Sequence, residues 1–177
     1  MKIEQLDLEG VYLIQNFSAK DERGVFVKTF HKDNFGLNNI ETSFKESYYS
    51  SSIKNVIRGM HFQIPPHDHN KLVYLTSGEI IDVILDLRKA SSTYGKFISI
   101  QLKAFSNSIY IPKGCAHGFL AKSEEVTIVY NVSSVYDQRC DRGIRWDSFG
   151  FDWNVPNCIV SERDATFPNF KDFISPF

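Results

Sequence analysis

Six short runs that alternate apolar and polar residues with a period of two constrain this chain's fold more than any other feature. They are "VIRGMHFQ", "KLVYLTSG", "EIIDVILDLR", "KFISIQL", "SIYIP" and "VTIVYNV", and the alternation is that of half-buried β-strands. Gly, Ser, Pro and Asn turn signals separate them, so successive strands can return antiparallel. Helical periodicity is weak, and only "KDNFGLN" and "FPNFKDFISPF" are expected to form a turn of helix. So many strands leave unpaired edges unless the sheet closes, and fifteen Phe and eight Tyr are available to fill the enclosed space. A closed barrel or two-sheet jelly roll meets both demands. The expectation is an all-β fold with short peripheral helices. With 177 residues and no repeat, low-complexity stretch or linker, it forms a single domain over 1–177.

Strand parity sorts side chains into compartments. In "VTIVYNV", Val126, Ile128, Tyr130 and Val132 share the more apolar face, so Tyr130 points inward if that face lines the barrel. In "EIIDVILDLR", Asp82, Ile84 and Asp86 lie opposite Ile81, Val83, Leu85 and Leu87. Two carboxylates on one face either meet solvent or line a polar cavity, and the usual exposure of Asp favours solvent.

Charge narrows the partners. Twenty basic against 21 acidic residues create no positive field for nucleic acid, which points to a small-molecule partner. Glu4, Asp7 and Glu9 interrupt the apolar residues of the N-terminus, and no run elsewhere approaches the roughly 20 apolar residues of a membrane span. No membrane partner is expected. Cys115, Cys140 and Cys158 fit neither a disulfide framework nor a paired zinc motif, and read as reduced thiols in a cytoplasmic protein.

"RGMHFQIPPHDHNK" places three of the five histidines beside a lysine, a set that could hold a metal or move a proton. Pro112, Gly114 and His117 in "IPKGCAHGF" resemble the second motif of the cupin jelly rolls, in which a first motif supplies a His pair and a Glu. His67 and His69 could supply that pair. Where the carboxylate would be sought stands Lys71, and an ammonium beside a divalent ion is repulsive and offers no lone pair. Metal binding is therefore not expected. After Pro65-Pro66 the two histidines are expected in an exposed turn.

Proton transfer fits better. The ordered series "ERGVFVKTF", "SSSIKNVIRGMHFQIPP", "KLVYLTSGEIIDVILDLRKASSTYGKF", "IPKGCAHGF", "VYNVSSVYDQRCDRGIRW" and "VSERD" resembles the dTDP-4-dehydrorhamnose 3,5-epimerase family over nearly the whole chain. The resemblance implies a cupin-type homodimer that needs no cofactor or metal and acts on nucleotide-linked 4-keto sugars. It implies His61 as the base, Asp164 as its orienting carboxylate, Tyr130 as the acid and Lys71 as the group stabilising the enolate oxygen. It also implies substrate contacts by Arg58 and His117, with Arg23 and Phe26 near the nucleotide. The chemistry is coherent. A hydrogen beside a ketone is acidic once the enolate is stabilised, and inversion needs a base on one face and an acid on the other. Histidine, with an ordinary pKa of about 6.5, and tyrosine, with one of about 10, suit those roles.

Two departures bear on the substrate. Lys28 replaces an acidic residue in the family's nucleotide segment, and Glu46 and Tyr48 replace the Gln and Asn that border the sugar. A lysine can only donate, which suits the two acceptors of guanine's O6/N7 edge better than thymine's N3 hydrogen. The expectation leans to a GDP-linked 4-keto heptose of capsule or lipopolysaccharide synthesis. The alternative is dTDP-4-dehydro-6-deoxy-D-glucose on the way to dTDP-L-rhamnose. Inversion at C-3 alone or at C-3 and C-5 both fit the same residues. A noncatalytic nucleotide-sugar-binding cupin is the rival of another class.

Overall fold

The computed structural model describes all of residues 1–177 and has two packed antiparallel sheets. In chain order the strands are β1 (Lys2–Gln5), β2 (Tyr12–Gln15), β3 (Phe17–Asp21), β4 (Gly24–Lys28), β5 (Glu46–Ile53), β6 (Ile57–Gln63) and β7 (Lys71–Ser77). They continue with β8 (Glu79–Asp86), β9 (Phe97–Lys103), β10 (Asn107–Ile111), β11 (Cys115–Ala121), β12 (Glu125–Val132) and β13 (Asp141–Gly143). One sheet runs β1-β2-β10-β7-β12-β5 and the other β13-β6-β11-β8-β9, while β3 and β4 form a separate hairpin. This is the expected all-β jelly roll. The helical elements are α1 (Lys32–Gly36), α2 (Glu162–Ala165) and a single 3-10 turn at Phe170–Asp172. The first and last fall in the two segments with a helical expectation. The alternation did not signal α2, whose start is set by Ser161, with its Oγ accepting the Asp164 N–H at 3.1 Å.

The inward faces of both sheets meet in one core that includes Val73, Ile84, Phe119, Ile128 and Tyr130. Tyr130 is buried, as parity predicts. The outer face of the five-stranded sheet is also covered. Val83, Leu85, Leu87, Ile144 and Trp153 form a second cluster there, under Phe170, Phe173 and Phe177. Burying each such aliphatic side chain stabilises the fold by roughly 1.5–3 kcal/mol. Coverage on both faces explains why β11 is buried at every position.

The solvent expectation for Asp82 and Asp86 is wrong: both are fully buried. Asp82 Oδ2 lies 2.6 Å from His117 Nε2. Asp86 accepts hydrogen bonds from Arg88, Ser91 and Thr93. Partners on neighbouring strands and turns hold these carboxylates, although Asp82 Oδ1 has no hydrogen-bond partner, and a one-strand parity argument cannot see such partners. Cys115, Cys140 and Cys158 are free thiols. No helix is long and apolar enough to cross a membrane.

Candidate active site

His61 sits on β6, opposite His117 of β11 on one side and Gly143 of β13 on the other. The absence of a side chain at Gly143 leaves room for Phe167, whose ring meets the His61 imidazole edge-on at 5.8 Å. His61 Nε2 lies 2.8 Å from Asp164 Oδ1. The other carboxylate oxygen of Asp164 accepts the Gly59 N–H at 3.0 Å. Burial pulls the Asp164 carboxyl upward, but hydrogen bonds from His61 and Gly59 outweigh it and hold its pKa below the ordinary value. An ionised Asp164 accepts the Nε2 proton of His61 and leaves Nδ1, which has no hydrogen-bond partner, as the nitrogen with a free lone pair.

The strand can carry this arrangement because of Gly59. Its φ is +149°, and a Cβ there would come within 2.6 Å of the Gly118 Cα on β11. The β6–β11 register shifts at this point, between His117 and Phe119.

Tyr130 comes from β12, in the opposite sheet, directly across from Tyr48 of β5. The two rings stack with centroids 4.8 Å apart and planes 17° from parallel. Burial, followed by the neighbouring Tyr48, raises the Tyr130 hydroxyl well above its ordinary pKa, so it stays protonated. Lys71 opens β7 and is only 5% exposed. Its Nζ donates to the His61 carbonyl at 3.1 Å. Burial lowers its pKa from 10.5 to about 8 against the pull of Asp141 and Asp82.

These groups meet in two adjoining cavities. The inner one, of about 180 Å³, is lined by Ser50, Arg58, His117, Phe119 and Tyr130 together with Tyr48, His61 and Lys71. The outer one, of about 290 Å³, shares Tyr48, His61 and Lys71 and adds Glu46, Gln63, His69, Tyr136, Asp141 and Arg163. An imidazole with a free lone pair, a protonated tyrosine and a buried ammonium thus face one space, with Asp164 behind the imidazole on a neighbouring cavity.

Of the expected contacts, Arg58, His117, Glu46 and Tyr48 line these cavities. Arg58 is held by Ser52 Oγ and the Ser51 carbonyl, each at 3.0 Å. Glu46 accepts the Tyr136 N–H at 2.7 Å and so pins the loop over the outer cavity. Arg23, Phe26 and Lys28 lie elsewhere, on the exposed β3–β4 hairpin, where Arg23 pairs with Asp21. The exposed-turn expectation for His69 is corrected, because its ring lines the outer cavity. His67 is partly exposed and lies 3.5 Å from Asp137. No three His, Cys, Asp or Glu side chains gather as a ligand set. Gln63, Tyr136, Asp141 and Arg163 were missed: they occur in quoted motifs but come together only when β6, β13 and α2 pack.

The family model described as dTDP-4-dehydrorhamnose 3,5-epimerase matches residues 5–172. The chain belongs to this family. A dTDP-4-dehydrorhamnose 3,5-epimerase of Methanothermobacter thermautotrophicus is 38% identical over 171 residues, covering 93% of this chain and 92% of that one. A dTDP-4-dehydrorhamnose 3-epimerase of Streptomyces niveus is 33% identical over 93% of this chain and 81% of its own length. The solved Legionella pneumophila dTDP-6-deoxy-D-glucose-3,5-epimerase, in complex with dTDP-4-keto-L-rhamnose, superposes with a TM-score of 0.92 at 28% identity. It covers 98% of this chain and 94% of that one. The protein is an isomerase, and the epimerase carries its candidate acid and base on opposite sheets of one jelly roll.

Proposed function

We propose that this epimerase inverts C-3 and C-5 of a dTDP-linked 4-keto-6-deoxyhexose. The observation that carries the reading is the convergence of His61, held from behind by Asp164, with Lys71 and Tyr130 on one cavity. His61 takes the C-3 proton, the bonding pair becomes a C-3–C-4 double bond, and the ketone oxygen becomes an enolate beside the Lys71 ammonium. Tyr130 then gives its hydroxyl proton to the opposite face as the enolate returns to the ketone, His61 releases the proton it took to solvent, and Tyr130 recovers one from solvent. The same exchange at C-5 completes the double inversion.

The lean toward a GDP-linked heptose loses its support. Its nucleotide part rested on Lys28, which stands on the exposed hairpin and lines neither cavity of this chain. Its sugar part rested on Glu46 and Tyr48, which do line the outer cavity, and the named relatives act on dTDP sugars. Inversion at C-3 alone is the second reading. The Tyr48 ring stacked on Tyr130 favours it, by covering one face of the donor and narrowing the inner cavity. Homodimer formation draws support from the exposed Phe17, Val25 and Phe26 of the hairpin and from Tyr49 and Ile53 on β5, which ends its sheet. A cytoplasmic location draws support from the three free thiols.

The test is incubation with dTDP- and GDP-linked 4-keto sugars in deuterated water. Deuterium and inversion at both centres of the dTDP sugar are expected. Label at C-3 alone would establish the second reading, and turnover of only the GDP sugar would overturn the nucleotide assignment.

A further inference from the structure

Gln63, two residues past the base on β6, is held in one orientation. Its Oε1 accepts the Asp137 backbone N–H at 2.7 Å. A backbone N–H can only donate, so the amide nitrogen is the other end of the side chain. That Nε2 faces three acceptors: the His67 carbonyl at 2.8 Å, His69 Nδ1 at 3.1 Å and the Val135 carbonyl at 3.3 Å. The two hydrogens of the NH2 are shared among these three, and an Nδ1–H on His69 would set donor against donor at 3.1 Å, so Nδ1 presents its lone pair and a neutral ring carries its proton on Nε2.

The His69 ring borders the outer cavity beside Lys71 and His61, and its Nε2 makes no hydrogen bond within the chain. Arg163 and Asp141, on the same cavity, are occupied by each other at 2.5 Å. We propose that His69 is a neutral hydrogen-bond donor, acting through Nε2–H beside Lys71 on the ketone oxygen as it becomes the enolate.

This role rests on the epimerase reading and adds to it a second group at the developing negative charge. A neutral N–H stabilises an oxyanion without placing another positive charge against the Lys71 ammonium. The surroundings favour that state: burial, and then the Lys71 charge, lower the His69 pKa from 6.5 to about 3. Gln63 is the positioning residue, since it fixes which nitrogen carries the proton.

Two measurements test the assignment. Long-range proton–nitrogen correlation spectra of the 15N-labelled protein should show His69 neutral with its proton on Nε2 between about pH 5 and pH 8. A charged ring or an Nδ1–H tautomer would overturn the proposal. In deuterated water, His69→Leu should slow C-3 exchange of the dTDP-4-keto sugar about tenfold or more in kcat, with little change in KM. His69→Gln, which presents an amide NH2, should recover most of that loss. Should the Leu variant fail to fold, His69→Asn, whose amide is too short to reach, replaces it. A rise in KM alone would make His69 a ground-state contact and remove the enolate role. A parent protein inert toward the keto sugar, with His69 still neutral, would overturn the assigned reaction and the donor role with it while the tautomer stands.

Discussion

Replacing Lys71 with Met should make the protein more stable while it disables the chemistry. Lys71 is 5% exposed, its one hydrogen bond goes to the His61 carbonyl, and no carboxylate lies within ion-pair distance. Lowering the pKa from 10.5 to about 8 corresponds to about 3 kcal/mol of destabilisation while the amine is charged in both states. Losing the hydrogen bond to His61 offsets about 1 kcal/mol of the relief, so Lys71→Met should gain about 2 kcal/mol at pH 7. The gain has a definite pH dependence. Below pH 8 the folded protein carries the full penalty. Between about 8 and 10.5 the unfolded chain binds the proton and the folded one does not, so parent stability rises with pH by about 3 kcal/mol and the variant's advantage vanishes and reverses by about 1 kcal/mol. Urea unfolding of both proteins at pH 7 and pH 10 reads the difference directly, and other titrating groups cancel between them. Deuterium exchange at C-3 should fall by about 10²–10³-fold in the same variant. For the parent, kcat/KM should decline as pH rises through about 8, where the free enzyme's ammonium is lost. A variant less stable than the parent at pH 7, or a stability difference identical at both pH values, would refute the picture of a buried and poorly compensated cation.

Tyr130→Phe keeps the ring stacked on Tyr48 and deletes only the donor, so it should retain solvent exchange while losing most inverted product, as proton NMR of the sugar would show. Parent-rate inversion by this variant would return Tyr130 to the role of a packing residue. Asp164→Asn removes the acceptor that fixes the His61 tautomer at 2.8 Å, and exchange should slow on the order of 10³-fold with the fold intact by circular dichroism. Gly59→Ala forces a Cβ to within 2.6 Å of Gly118 at a φ of +149°. It should destabilise the protein by about 2–4 kcal/mol in urea titration and displace the Asp164 contact. A neutral result there would mean that β6 and β11 separate more easily than their packing suggests.

The sequence by itself determined the fold class, because a period-two pattern fixes which side chains share a face without reference to any other strand. It therefore placed Tyr130 inward. The family resemblance carried by its ordered motifs brought out His61, Lys71, Tyr130 and Asp164 from positions 103 residues apart at the extremes. Where a contact depends on what packs against a strand, the sequence misled. Asp82 and Asp86 read as solvent-facing because their partners lie on β11 and in the turn after β8. The strand β5 carries no apolar alternation, since Ser and Tyr occupy an edge beside the cavity. His69 looked like a turn residue after two prolines, yet Gln63 draws its ring into the cavity wall. Lys28 suggested a base contact by chemistry alone, while the hairpin carries it away from this chain's cavity. The local pattern encodes alternation and turn chemistry. Charge state, tautomer and the joining of two sheets into one site arise from contacts distant in sequence, and only the tertiary structure decides them.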